Sequence, residues 1–84
     1  PGILTLAWKA DDGDLAIVLT SIVDEAVPLS FNIPPKDYGL ERGGTMLRID
    51  ASDTKTLGTF SDDPVHLEFD LPPREVWVLE FKNP

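Results

Sequence analysis

The chain is expected to fold as a small all-β domain, a two-sheet antiparallel β-sandwich of about seven strands. Three observations lead there. Apolar and polar side chains alternate with a period of two in several short segments, as in a strand with one face in a core. Clusters of Gly, Pro, Asp and Ser interrupt those segments about every eight to twelve residues. No stretch carries helical periodicity, and none is long enough for the crossover helix that parallel strands require.

The first strand is expected from Ile3 to Ala10 and the second from Leu15 to Ile22, around Asp11-Asp12-Gly13-Asp14. Asp-Gly between two apolar runs signals a tight hairpin, because a type I′ turn needs positive φ at both central residues. With Asp12-Gly13 as the turn, Ala10 faces Leu15, Trp8 faces Ile17 and Leu6 faces Leu19, and these six make the core face. Ile3, Thr5, Ala7 and Lys9 then join Ala16, Val18, Thr20 and Ile22 on the other face, which is unusually apolar for one that meets water.

A third strand runs from Val27 to Ile33, with Val27, Leu29, Phe31 and Ile33 inward. Pro28 marks it as an edge strand, and Pro34-Pro35 ends it. Lys36 to Thr45 is the longest irregular segment, with Tyr38 and Leu40 as a candidate lid. Met46 to Ala51 is a fourth strand, expected to face Leu47 and Ile49 inward and Arg48 and Asp50 outward. Thr56 to Phe60 is a short fifth. Val65 to Leu71 alternates strictly: Val65, Leu67, Phe69 and Leu71 point one way, and His66, Glu68 and Asp70 the other. Pro72-Pro73 stops that strand, since proline has no N–H for the ladder. Val76 to Phe81 is apolar on both faces, as in a strand covered on both sides. If Trp77, Leu79 and Phe81 face the core, Val76 and Val78 face a partner; the reverse arrangement exposes Trp77. A Pro-Pro turn joining these two strands as neighbours makes its length decide between them.

With 84 residues, the sequence corresponds to a single domain near the lower size limit for a self-sufficient core. It contains no cysteine, hence no disulfide and no thiolate metal site. There is no long apolar run to span a membrane. Beginning at Pro1-Gly2 and entering a strand almost at once, residues 1–84 are expected to be one piece of a longer multidomain protein. Its compartment, cytoplasmic or secreted, is left open. Fifteen acidic residues against seven basic ones give a net charge of −8, which disfavours nucleic acid and anionic membrane surfaces as partners.

The run L-A-I-V-L-T-S-I-V-D-E-A-V-P-L-S-F-N-I resembles the opening of C-terminal β-sandwich domains in glycoside hydrolases. L-R-I-D-A-S-D-T-K-T-L-G-T-F and V-H-L-E-F-D-L-P-P-R-E-V-W-V-L-E-F are similar to the close of such domains. The resemblance covers roughly Leu15 to Phe81 and departs from the family pattern near Thr20, where asparagine is frequent. It implies a sandwich that follows a catalytic (β/α)₈ barrel, packs on it and carries no catalytic residue. The expected partner is then the catalytic domain of the same chain. Ile3, Ala7, Val18 and Ile22 form one candidate docking patch, and Val76 and Val78 another. Cover by loops or sheet curvature within the domain is the competing account of those residues.

Residue chemistry nominates no catalytic set. There is a single histidine, His66, and no nucleophile–base pair to place beside it. His66, Glu68 and Asp70 share a strand face, yet successive same-face positions lie about 7 Å apart, long for one ion. Asp11, Asp12 and Asp14, and likewise Asp62-Asp63, sit in turns whose chemistry explains them without calcium. No cofactor is implied; Gly43-Gly44 lacks the lysine and helix of a phosphate loop. A carbohydrate-binding module is the main alternative, with Trp77 and Tyr38 as stacking residues, and a fibronectin- or immunoglobulin-like spacer is a third.

Overall fold

Period-two alternation builds most of the molecule. The computed structural model describes residues 3–9, 13–40 and 42–83. Its strands are β1 (Ile3–Lys9), β2 (Leu15–Ser21), β3 (Val27–Ile33), β4 (Gly44–Ile49), β5 (Thr54–Phe60), β6 (Val65–Leu71) and β7 (Val76–Lys82). A single turn of 3₁₀ helix, Pro35–Tyr38, lies between β3 and β4. The strands form two antiparallel sheets, one five-stranded in the order β1-β2-β7-β4-β5 and one two-stranded, β3-β6. The expected all-β sandwich is what forms.

The core lies between the sheets. Leu15, Ile17 and Leu19 of β2 and Trp77, Leu79 and Phe81 of β7 line it from the large sheet, and Ile33 and Leu71 from the small one. Leu29, Phe31, Val65, Leu67 and Phe69 pack on it from β3 and β6 as their alternation requires. Full burial of each such side chain contributes about 1.5–3 kcal/mol. Phe31, Phe69 and Trp77 form an aromatic chain across the gap, with centroids 6.0 and 5.2 Å apart. Leu40 tucks fully into the core, whereas Tyr38 remains outside on the 3₁₀ helix, so the lid is half of what was expected.

Three expectations are corrected. β1 and β2 pair with Lys9 opposite Leu15, Ala7 opposite Ile17 and Leu6 opposite Val18, one residue away from the tight-hairpin register. A slip of one exchanges the faces of a strand. Trp8 and Leu6 therefore face away from the core, beside Ala16 and Val18. One side of β1 mixes Ile3 and Ala7 with Thr5 and Lys9 and the other is Leu4, Leu6 and Trp8, so apolar residues stand on both sides and pairing with β2 sets the register. Of the expected hairpin, Ala10, Asp11 and Asp12 lie outside the described residues. Second, β4 is inverted: Arg48 is opposite Leu79 and Met46 opposite Phe81, both core-facing, while Leu47 and Ile49 face outward. Arg48 accomplishes this by stacking over Trp77, 4.4 Å from the ring centroid, with its aliphatic stem covered. Third, β6 and β7 are not neighbours: β6 pairs with β3, while β7 runs between β2 and β4. The Pro72-Pro73 corner carries the chain from one sheet to the other. Glu75 N–H donates to Pro72 O at 3.3 Å, and Arg74 at the third position has φ +59°. That is type II turn geometry with proline at its second position.

Gly44 starts β4 with a φ of +156°. A Cβ there would stand 1.8 Å from the Lys82 carbonyl oxygen, so only glycine lets β4 begin beside β7.

Candidate functional site

The outer face of the large sheet is built by three cross-strand rows. Leu4, Thr20 and Val76 make the first; Leu6, Val18, Val78 and Ile49 the second; Trp8, Ala16, Glu80 and Leu47 the third. The strands are antiparallel and fully paired, so facing side chains stand side by side and form one continuous surface. Its most exposed members are Leu6 at 64%, Leu4 at 60%, Val76 at 49% and Trp8 at 47%. Large apolar residues rarely cluster on a surface without a partner to cover them. Glu80 is the one charged group within these rows, and Lys82 Nζ lies 3.5 Å from its Oε1.

Val18, Val76 and Val78, expected as docking residues, lie together on this face. Ile3 and Ala7 do not: the register correction turns them to the opposite side, where Ile3 packs against the core and Ala7 sits across from Ile17. Ile22 follows the end of β2 and is exposed. Leu4, Leu6, Trp8, Leu47 and Ile49 were not anticipated here. The two-sided apolar character of the first strand was the only signal for the first three.

Of the candidate sugar-stacking residues, Trp77 is 7% exposed and faces the core, and Tyr38 is exposed on the 3₁₀ helix. The exposed tryptophan is Trp8. Its neighbours on the sheet are apolar apart from Glu80, so few hydrogen-bonding groups surround it.

The small sheet presents a polar outer face. Asn32 is opposite His66, Ser30 opposite Glu68 and Pro28 opposite Asp70. His66 Nδ1 lies 2.8 Å from Asn32 Oδ1, and its Nε2 lies 3.5 Å from Glu68 Oε1. These are exposed contacts of a solvated face. Among the described residues no group of three or more His, Asp or Glu side chains is arranged to hold a metal ion. Asp14 is engaged with Asn83, whose backbone N–H donates to Asp14 Oδ1 at 2.9 Å. Asp11 and Asp12 lie outside the described residues. Asp62 and Asp63 are exposed in the turn before β6. No described helix is long and apolar enough to cross a membrane.

The same arrangement of strands occurs in solved structures. A protein from Bacillus halodurans designated an α-N-acetylgalactosaminidase superposes over 99% of this chain with a TM-score of 0.67 and 17% identity. α-Galactosidase I from Mortierella vinacea superposes over 98% with a TM-score of 0.63 and 20% identity. The chain shares its fold with a part of each of these two proteins. It spans only 19% and 21% of those two chains, which are about five times longer. The resemblance read from Leu15 to Phe81 thus holds at the level of fold. No family model matches the sequence, and no curated protein matches it either.

Proposed function

We propose that this domain is a non-catalytic accessory β-sandwich of a carbohydrate-active enzyme, and that it stabilises or orients a catalytic domain in the same chain. One observation carries the reading: the outer face of the large sheet is a continuous apolar surface around Leu4, Leu6, Trp8, Val18, Val76 and Val78. Structural neighbours in which this fold occupies a fifth of a glycosidase chain supply the kind of partner. A catalytic domain docked there would remove those side chains from water, at about 25 cal/mol for each Å² covered.

The test uses the full-length protein and Leu6→Asp and Val78→Asp variants. A carboxylate forced into the interface without a partner costs several kcal/mol or prevents docking. The expected result is a melting temperature lower by about 5 °C or more, with a parallel loss of glycosidase activity on heating. Leu6→Asp in the isolated domain should leave its folding nearly unchanged, because Leu6 is already 64% exposed. Full-length variants as stable and as active as the parent would remove the proposal.

A carbohydrate-binding module is the second reading, and exposed Trp8 is the observation in its favour. It requires soluble oligosaccharides to quench Trp8 emission in the isolated domain. Trp77, in the core, serves as the internal reference that iodide does not reach.

A further inference from the structure

Charge is distributed unevenly between the two sides of the large sheet. Its strands carry five charged side chains: Lys9 on β1, Arg48 on β4, Lys55 on β5, and Glu80 and Lys82 on β7. Pairing fixes the side of each. Lys9 is opposite Leu15, a core residue, and donates to the Tyr38 carbonyl. Arg48 is opposite core-facing Leu79 on one side and Lys55 on the other. These three cations therefore stand on the inner side, and Glu80 and Lys82 on the outer one. An antiparallel sheet with one face in water ordinarily keeps its charges on the wet face. Here most of them are turned from it.

The two outward charges form a pair, with Lys82 Nζ 3.5 Å from Glu80 Oε1. Glu80 stands between Ala16 and Leu47 in the row that Trp8 begins, two residues along β7 from Val78. Apolar neighbours already shield it: its side chain is 26% exposed, against 49% for Lys82. On the far side of β4 the rows end in hydroxyls. Thr54 follows Ile49, Thr56 follows Leu47, and Thr59 follows Thr45, which is itself opposite Lys82. The apolar area thus reaches from β1 to β4, is rimmed by threonines on β5, and holds one carboxylate neutralised from within the same strand.

We propose, resting on the docking described above, that the catalytic-domain surface covering this face is apolar and uncharged, and that Lys82, rather than a cation of the partner, neutralises Glu80 once water leaves. A carboxylate that loses its water without a cation beside it is strongly unfavourable. Lys82 is already in place to meet that need, so the partner has no charge to supply. Charge complementarity selects the same occupant. The chain carries a net charge of −8, yet this face adds no net charge from its strands, so a basic partner would be drawn to other sides of the molecule, such as the small-sheet face with Glu68 and Asp70. A glycan would need hydrogen-bonding groups that Leu4, Leu6, Val18, Val76 and Val78 do not have.

The experiment uses the full-length protein, with melting followed by calorimetry and mass by analytical ultracentrifugation. Lys82→Met keeps the aliphatic stem and removes the charge. It leaves Glu80 alone beneath the partner, and the melting temperature should fall by about 5 °C or more. The double variant Glu80→Gln/Lys82→Met has no charge left to compensate and should recover most of that loss. If Lys82 acted only through its stem or its strand, the second substitution would recover nothing, and that result overturns the proposal. Lys82→Met as stable as the parent, beside a destabilised Leu6→Asp, would mean that the partner brings its own cation; this inference would then fall and the docking would stand. Stability unchanged in both variants would remove the docking as well. A parent that sediments as a dimer, with Leu6→Asp as a monomer, would assign the face to a second copy and overturn the proposal too.

Discussion

Arg48 and Trp77 show how much one pair of side chains decides here. The guanidinium lies over the indole inside the sandwich, so a residue that alternation assigns to solvent becomes part of the core boundary. Trp77 also meets Phe69 and thereby links the two sheets. Trp77→Ala should cost about 3–5 kcal/mol in denaturant unfolding. Arg48→Met keeps the covered stem and removes an unpartnered donor, so its stability should stay within about 1 kcal/mol of the parent. A loss in Arg48→Met comparable to that in Trp77→Ala would show that the guanidinium, and not the stem, holds the contact. Asp50 supplies the pH dependence. Its carboxylate accepts the Ser52 backbone N–H at 2.9 Å and also the Ser52 hydroxyl and the Asp53 N–H. These bonds, led by the Ser52 backbone N–H and then the Ser52 hydroxyl, hold its pKa below the ordinary 3.8 against an opposing push from desolvation, and Arg48 adds to the lowering. Because the folded pKa is depressed, the stabilisation is present above 3.8 and fades as pH falls through the folded value. The stability gap between the parent and Asp50→Asn should therefore close in acid denaturation runs below pH 3.8, and a gap that widens there would contradict the assignment.

At the scale of elements, Gly44 fixes where β4 meets β7. Gly44→Ala places a Cβ 1.8 Å from Lys82 O, and backbone cannot yield as a flexible side chain does. The expected loss is more than about 2 kcal/mol in urea titration, with early exchange of the β4 and β7 amides. Strands with strict alternation were legible from their residues alone. β3 and β6 have the faces that V-P-L-S-F-N-I and V-H-L-E-F-D-L require, because only one face of each can be buried. For β7 the residues left two faces open; Trp77, Leu79 and Phe81 face the core, and Val76 and Val78 lie on the outer surface with no cover among the described residues. β1 and β4 were not legible in this way. In β1 the more apolar row, Leu4, Leu6 and Trp8, is the one turned outward, so pairing with β2 decides its face against its own alternation. In β4 the long stem of Arg48 fits where a short polar side chain would not.

For the whole molecule, the sandwich and its strand count followed from turn spacing, but the order of the strands did not. Local signals report which segments are strands. They carry little about which sheet a strand enters after a proline corner, and so β6 and β7 read as neighbours although they lie in different sheets. The candidate docking face was half legible for the same reason: Val18, Val76 and Val78 were found, whereas Leu4, Leu6 and Trp8 depended on a register that the sequence leaves weakly determined. The central position of β7 has a further consequence during synthesis. β1-β2 and β4-β5 can zip as soon as each leaves the ribosome, since their partners are adjacent in sequence. Neither hairpin can join the other until Val76–Lys82 has emerged, because β7 alone hydrogen-bonds to both. A nascent chain stalled before Val76 would hold two hairpins with their apolar faces uncovered, which makes that interval the one in which a chaperone has most to protect.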